Sequence, residues 1–324
     1  MSRFFALMFS VFAAAALASG AARADEAYPA RSIRFLINQP PGGPTDTFAR
    51  MVALRLSERL GQTVVSENRG GAGGVIAADV LMKAPADGYT LLFGSSSLAT
   101  LVPLIYKKLP YDPDKMMPVG ALASYSMYLL LNPALPARSV AELVGLAKAQ
   151  PGSLSFASGG NGASGHLAGE LLRSMAGIDI VHIPYKGNVL GQQDVMAGRV
   201  SFMFDFYPTS IAAVQGGRLR QVASTGKSRG ALTPDVPTLS ESGLPGYSLT
   251  SWFAIFVPPG TPRPIVDKLN ADIAYILGQP AMLAKLRDEA FEPLVLTPEG
   301  VTARIKSDMD VLAPLVRQAK IQVD

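Results

Sequence analysis

Three glycine-rich runs are the residues of this 324-residue chain best suited to chemistry: Gln39-Pro40-Pro41-Gly42-Gly43-Pro44-Thr45-Asp46, Asn68-Arg69-Gly70-Gly71-Ala72-Gly73-Gly74 and Ala157-Ser158-Gly159-Gly160-Asn161-Gly162-Ala163-Ser164. Each is expected between a strand and a helix, where the first main-chain N–H groups have no intrahelical acceptor and the helix dipole favours an anion. Glycine lets the chain turn with positive φ and lets a bound group approach the backbone. Such loops can hold a carboxylate without an arginine. Charge-assisted hydrogen bonds contribute about 1.5–3 kcal/mol each, so four or five support micromolar binding, which needs about 8 kcal/mol. Taken singly, each run also reads as an ordinary tight turn. The first and third fall in separate parts of the chain, and that pairing favours a shared cleft.

Other chemistries fit less well. Gly160-Asn161-Gly162-Ala163-Ser164-Gly165 has the G-x-G-x-x-G spacing of a dinucleotide-binding turn, with Asp179 about 20 residues on. Asp179 precedes the next strand, whereas a ribose-binding carboxylate belongs at that strand's end, so no cofactor is expected. No serine is read as a nucleophile elbow. A metal site is not expected either, because the only histidines are His166 and His182 and there is no cysteine. His166 with Glu170 on one helical face is fewer groups than zinc takes. His166 reads as a packing or capping residue near a helix start, and His182 as a core or cleft-edge residue. Asp46 and Asp205 stand where helices are about to begin and read first as N-caps. The alternative places both in a cleft, where Asp205 receives a ligand ammonium beside a wall of Phe204, Phe206 and Tyr207.

The elements that must position these residues alternate. Ile33–Ile37, Thr63–Ser66, Tyr89–Phe93, Tyr128–Leu131, Leu154–Ala157, Ile180–Ile183, Val200–Phe204 and Leu219–Ala223 read as strands, separated by helical patterns, so the class is α/β. Phe48, Val52, Leu56 and Leu60 form one buried helix face that Gly61 terminates; Leu167, Leu171, Leu172 and Met175 form another before Gly177. Further helices are expected after Pro264, over 281–288 and from Pro298 onward. Val119–Asn132 and Tyr247–Val257, the latter with the only tryptophan, Trp252, read as two segments crossing side by side between lobes. The expected division is residues 25–123 with 248–324 as lobe 1 and residues 124–247 as lobe 2, the length being that at which one core splits into two.

Arg3 precedes an apolar run from Phe4 to Leu17 and then Ala22-Arg23-Ala24, the pattern of a signal peptide over residues 1–24 cleaved after Ala24. The run is shorter than the roughly 20 residues of a spanning helix. Loss of Arg3 and Arg23 leaves 27 of the 29 basic side chains against 25 acidic ones, so the formal charge falls from +4 to +2. That balance gives no reason to expect nucleic acid as a partner. Without cysteine there is neither a disulfide nor a lipid-modified anchor, and the expected product is a monomer free in the periplasm.

An ordered set of motifs adds to this reading: Pro40 to Asp46, Glu67 to Gly74, Ala86-Asp87-Gly88-Tyr89-Thr90-Leu91-Leu92, Ile183-Pro184-Tyr185-Lys186-Gly187, Pro234-Asp235-Val236-Pro237-Thr238 and Gly243-Leu244-Pro245-Gly246-Tyr247. Over essentially the whole mature chain it resembles the Bug (TctC-like) receptors of tripartite tricarboxylate transporters. The resemblance implies a two-lobed type II periplasmic-binding fold, each lobe a mixed sheet flanked by helices. It further implies a ligand carboxylate clamped between the first and third loops, largely by main-chain amides and water, with large and small membrane subunits as partners. Its ligand set maps here onto Pro41, Gly42, Gly43, Thr45, Asp46, Ser95, Ser96, Ser158, Gly159, Gly160, Asn161, Gly162, Ser164, Asp205 and Phe206. Variable positions that select the rest of the ligand map to Gly94–Ser97 and Phe204–Tyr207. Phe206 stands where many members carry a smaller or polar residue, which implies a bulkier or more apolar ligand. The expected function is capture of an organic, amino or aromatic acid without catalysis. The alternatives are a secreted enzyme acting on a small acid and a receptor presenting its ligand to a sensor kinase.

Overall fold

The computed structural model describes residues 28–42, 44–319 and 321–322. The expected signal peptide and Gly43 lie outside them. Strand β1 (Ile33–Ile37) runs parallel to β2 (Val64–Asn68) and β3 (Thr90–Ser95). Both faces of β1 are covered, which is why it reads as a continuous apolar run. Ile33, Phe35 and Ile37 belong to the core that also takes Phe48, Val52 and Leu56 from helix α1 (Pro44–Leu60), while Leu36 packs with Ala77, Ala78 and Leu81 of α2 (Val75–Met82). Short helices α3 (Ser96–Thr100) and α4 (Val102–Ile105) follow β3.

The next strand, β4 (Met117–Leu131), has 15 residues and serves two groups of strands. Its first part pairs antiparallel with β9 (Thr250–Val257), from Met117 opposite Val257 to Ser126 opposite Thr250, and β10 (Glu292–Pro293) lies along its other edge. From Met127 onward it pairs instead with β7 (Phe202–Phe206) and β8 (Arg220–Ser224). Beyond β7 lie β5 (Leu154–Ser158) and β6 (Ile180–Pro184), both parallel, so the strand order is β2-β1-β3-β9-β4-β7-β5-β6 with β8 and β10 also on β4. This is the mixed, two-lobed architecture expected. At the change of partners Thr225 ties the strands together: its Oγ1 accepts from Met127 N at 2.9 Å and donates to Leu249 O at 2.7 Å. The remaining helices are α5 (Val140–Ala149), α6 (Ser164–Ala176), α7 (Asn188–Met196), α8 (Tyr207–Gln215), α9 (Arg263–Leu277), α10 (Pro280–Asp288) and α11 (Pro298–Ala319).

Several strands run past their expected ends. The expected Tyr128–Leu131 strand is only the tail of β4, and β2 continues through the polar Ser66, Glu67 and Asn68 because the ladder to β1 extends to Ile37 opposite Asn68. Strand β7 likewise includes Asp205 and Phe206, which pair with Tyr128 and Met127. Asp205 is therefore a strand residue, and the N-cap of α8 is Phe206. Asp46 departs from its N-cap reading as well, because α1 begins at Pro44 and puts Asp46 in the first turn.

Candidate functional site

The first glycine-rich loop leaves β1 and enters α1, and the second leaves β2 beside it. Asp46 shapes this corner: Gly42 N donates to its Oδ2 at 3.0 Å, Arg50 Nε to both oxygens at 3.0 Å, and Asn68 Nδ2 to Oδ1 at 2.8 Å. These donors hold the carboxyl below the usual carboxylate range although burial opposes them. Asn68 Nδ2 also donates to Gln39 O at 2.9 Å, so the two loops are stitched side by side. They touch closely enough that a Cβ on Gly70 would lie 2.8 Å from Pro40 N. Asp46 thus holds the first loop in shape through groups of its own lobe. At the end of β3, Ser95 Oγ accepts from Asn38 Nδ2 at 3.3 Å and bonds Ser97 Oγ at 2.9 Å, and Ser96 Oγ accepts from Trp252 N at 3.3 Å. Thr45, Ser95 and Ser96 are buried, while Pro41 and Gly42 are exposed.

The third loop leaves β5 and enters α6. Here one expectation is corrected: the N–H groups of Gly160 and Gly162 are not free for a ligand. Gly160 N donates to Ser158 Oγ at 3.2 Å and Gly162 N to His166 Nδ1 at 3.3 Å. Both bonds turn inward because Ser158 and His166 flank the loop within hydrogen-bonding reach. Asn161 between them is exposed, and α6 begins at Ser164, where the first-turn amides have no intrahelical acceptor. Ser158 is fully buried, with Oγ 2.7 Å from His182 Nε2.

Asp205 is fully buried as well. Its Oδ1 accepts from Asn188 Nδ2 at 2.6 Å and Phe206 N at 2.9 Å, and Gln192 Nε2 lies 3.4 Å from Oδ2. Burial pushes its carboxyl up to about 6 despite those bonds. Asn188 starts α7 and packs against the third loop, its Oδ1 lying 2.4 Å from where a Cβ on Gly159 would be. Asp205 thereby fixes α7 behind the loop. Its oxygens are taken by amides, which corrects the picture of an open acceptor for a ligand ammonium. Phe206 is half-buried and meets Tyr125 edge to face, ring centroids 4.9 Å apart. Tyr125 in turn stacks on Phe253 at 4.6 Å, and its hydroxyl bonds Ser164 and Ser251. Tyr125, His166, His182 and Asn188 were not singled out as site residues by the sequence. Tyr125, His182 and Asn188 reach the third loop from other elements, which only tertiary structure reveals, while His166 reaches back to it from the first turn of α6.

The two sides meet at backbone distance. A Cβ on Gly73 of the second loop would lie 3.3 Å from the carbonyl oxygens of both Asn161 and Gly162, and one on Gly187 would lie 3.3 Å from Pro40 Cγ. This seam therefore runs between the second and third loops and between Gly187 and the first loop. A Gly-x-Ser-x-Gly spacing not recognised in the sequence, Gly226-Lys227-Ser228-Arg229-Gly230, is no nucleophile elbow: Ser228 is exposed and no helix follows, so the strand-turn-helix is absent there. Among the described residues no cluster of three or more His, Asp or Glu side chains is placed to hold a metal, and no helix is long and apolar enough to cross a membrane.

Two mixed α/β lobes joined by a shared long strand, with the second and third glycine-rich loops meeting across the junction, define a solute receptor of the periplasmic-binding type. The profile of the tripartite tricarboxylate transporter family receptor, TctC, matches residues 48–319, and the chain belongs to that family. Protein BugT of Bordetella pertussis is 35% identical over 320 residues, covering 98% of each chain. The structure of R. palustris Rpa4515 with adipate superposes with a TM-score of 0.87 at 35% identity, covering 91% of this chain and 99% of that one. MatC (Rpa3494) from Rhodopseudomonas palustris with bound malate gives 0.83 at 30% identity, covering 89% and 100%.

Proposed function

We propose that this chain is a periplasmic receptor that closes over a small carboxylate and delivers it unchanged to the large and small membrane subunits of a tripartite tricarboxylate-type transporter. The observation that carries this reading is the meeting of two loop-and-helix starts, from either side of the strand junction, at the distance of Gly73 from Asn161 and Gly162. In the proposed complex the carboxylate lies between the α1 entry, at Pro41, Gly42, Gly43 and Thr45, and the outward amides of Asn161 and Ser164. Ser95, Ser96 and Phe206 line the variable end. Adipate in Rpa4515 and malate in MatC support a small organic acid as ligand. The closing bodies are residues 25–123 with 248–324 and residues 124–247, rotating about the two segments that meet at Thr225. Residues 1–24 serve as the export signal and are removed.

Native mass spectrometry of the purified mature chain identifies the co-purifying acid, and titration calorimetry then compares that acid with its primary amide. Four charge-assisted bonds at about 1.5–3 kcal/mol each predict micromolar binding of the acid, and at least ~100-fold weaker binding of the amide. An amide that binds as well as the acid, or an acid that is consumed on incubation, refutes the reading.

A further inference from the structure

The two histidines of the chain come from different elements and lie one on the other. His166 on α6 and His182 on β6 have ring centroids 4.1 Å apart at 17°, and Phe156 of β5 extends the stack beyond His182 at 4.8 Å. Each imidazole reaches the third loop with one nitrogen: His182 through Ser158 Oγ at 2.7 Å, and His166 through Gly162 N–H at 3.3 Å. The charged groups facing the pair are both on α6, Glu170 with Oε1 4.0 Å from His166 Nε2, and Arg173, which pairs with Glu170. Strand β5 brings Phe156 and Ser158 to it.

We propose that His166 and His182 are positioning residues: as a neutral stacked pair they latch alternate amides of the third loop inward and so leave Asn161 N–H pointing outward. This rests on reading that loop as the carboxylate contact. The proton inventory follows from the bonds. Gly162 N–H needs a lone pair, so His166 carries its proton on Nε2, toward Glu170. The bond of 2.7 Å between Ser158 Oγ and His182 Nε2 forms with either atom as donor, and Gly160 O at 3.1 Å is a further acceptor for the hydroxyl. A charge on either ring would face the other imidazole and Arg173; burial and these neighbours hold His166 down to about 4 and His182 to about 3. Protonation of His166 turns Nδ1 from acceptor to donor, and Gly162 N–H is then released. A loop whose outward donor is fixed before the ligand arrives loses less freedom on binding.

The test needs no ligand. Amide exchange of Gly160 and Gly162 is followed by NMR on selectively glycine-labelled mature chain. Asparagine Oδ1 can replace imidazole Nδ1, and a glutamine amide can replace Nε2. His166→Asn should keep Gly162 protection within about threefold, whereas His166→Leu should lose about tenfold, the scale of one net hydrogen bond. His182→Gln and His182→Phe should divide in the same way at Gly160. In the wild type both rings should stay neutral as pH falls through 6.5, and Gly162 protection should drop only near 4. Full protection in His166→Leu, equal loss in His166→Leu and His166→Asn, or titration of both rings near 6.5 overturns the latch. Should His182→Phe not fold, the two His166 variants and the wild-type titration decide. Since no acid enters the measurement, its failure leaves the receptor reading to be judged by calorimetry alone.

Discussion

Gly73→Val tests the closed seam most directly. At φ +65° a Cβ on Gly73 would sit 3.0 Å from Val102 Cγ2 and 3.3 Å from the oxygens of Asn161 and Gly162. The left-handed backbone and the Val102 overlap weigh on the protein whether the seam is open or shut, so they cancel in a binding experiment. Only the overlap with the third loop distinguishes the two states. Alanine adds one tight carbon at 3.3 Å from each oxygen, and valine adds two branches that reach past it. Overpacking costs about 1–3 kcal/mol, which reduces the closed population and weakens apparent affinity by ~5–150-fold for valine. Alanine should give only a few-fold loss. Calorimetry with the co-purifying acid reads the affinity, and small-angle scattering with and without that acid reads the closure. Wild-type affinity in Gly73→Val, with the same ligand-induced compaction, would show that these loops do not approach in solution.

Asp205→Asn should stabilise the chain at neutral pH. Burial raises the folded pKa of Asp205 to about 6, against about 4 unfolded, so the folded state retains a proton that the unfolded state has lost. Stability from this group is present below about 4 and is lost as pH rises through about 6, by at most ~3 kcal/mol. Asparagine keeps Oδ1 for Asn188 and Phe206 and does not titrate. Urea unfolding should therefore place the variant ~1–3 kcal/mol above wild type at about pH 8 and level with it near pH 4; equal stability at both refutes the buried charge. Thr225→Val leaves Met127 N–H and Leu249 O without their hydroxyl partner, a loss of ~1–3 kcal/mol in urea unfolding that Thr225→Ser should restore. A silent valine variant would mean that this hydroxyl does not tie the strand junction.

The first and third loops were legible because their geometry is written locally, as glycines between an apolar run and an amphipathic helix. Helix α1 was legible for the same reason, with Phe48, Val52 and Leu56 on its buried face. The length of β4 was not, since an apolar run does not say that its two halves pair with different strands. The direction of the loop amides was also hidden: whether Gly160 and Gly162 face a ligand or their own lobe is decided by Ser158 and His166, and Ser158 answers to His182 on another strand. Asp205 and Asp46 were expected as N-caps or as cleft residues, and neither caps its helix. The amides and the guanidinium that occupy them, from Asn188, Asn68 and Arg50, became visible only once strands and helices were assembled.

The place of β9 bears on how such a chain is made. It lies between β3 and β4, with Leu92 opposite Phe256 and Ala121 opposite Ala254, so the sheet begun by residues 33–37 is completed by residues 250–257. A chain emerging amino end first, from a ribosome or through a membrane pore, exposes β3 and the leading half of β4 as unjoined edges until its last quarter has been delivered. Pairings so distant along the chain form slowly, because the intervening loop must close before any contact rewards it. Until residues 250–257 have been made, the partial chain therefore carries strand edges of the kind that make incomplete chains prone to aggregate.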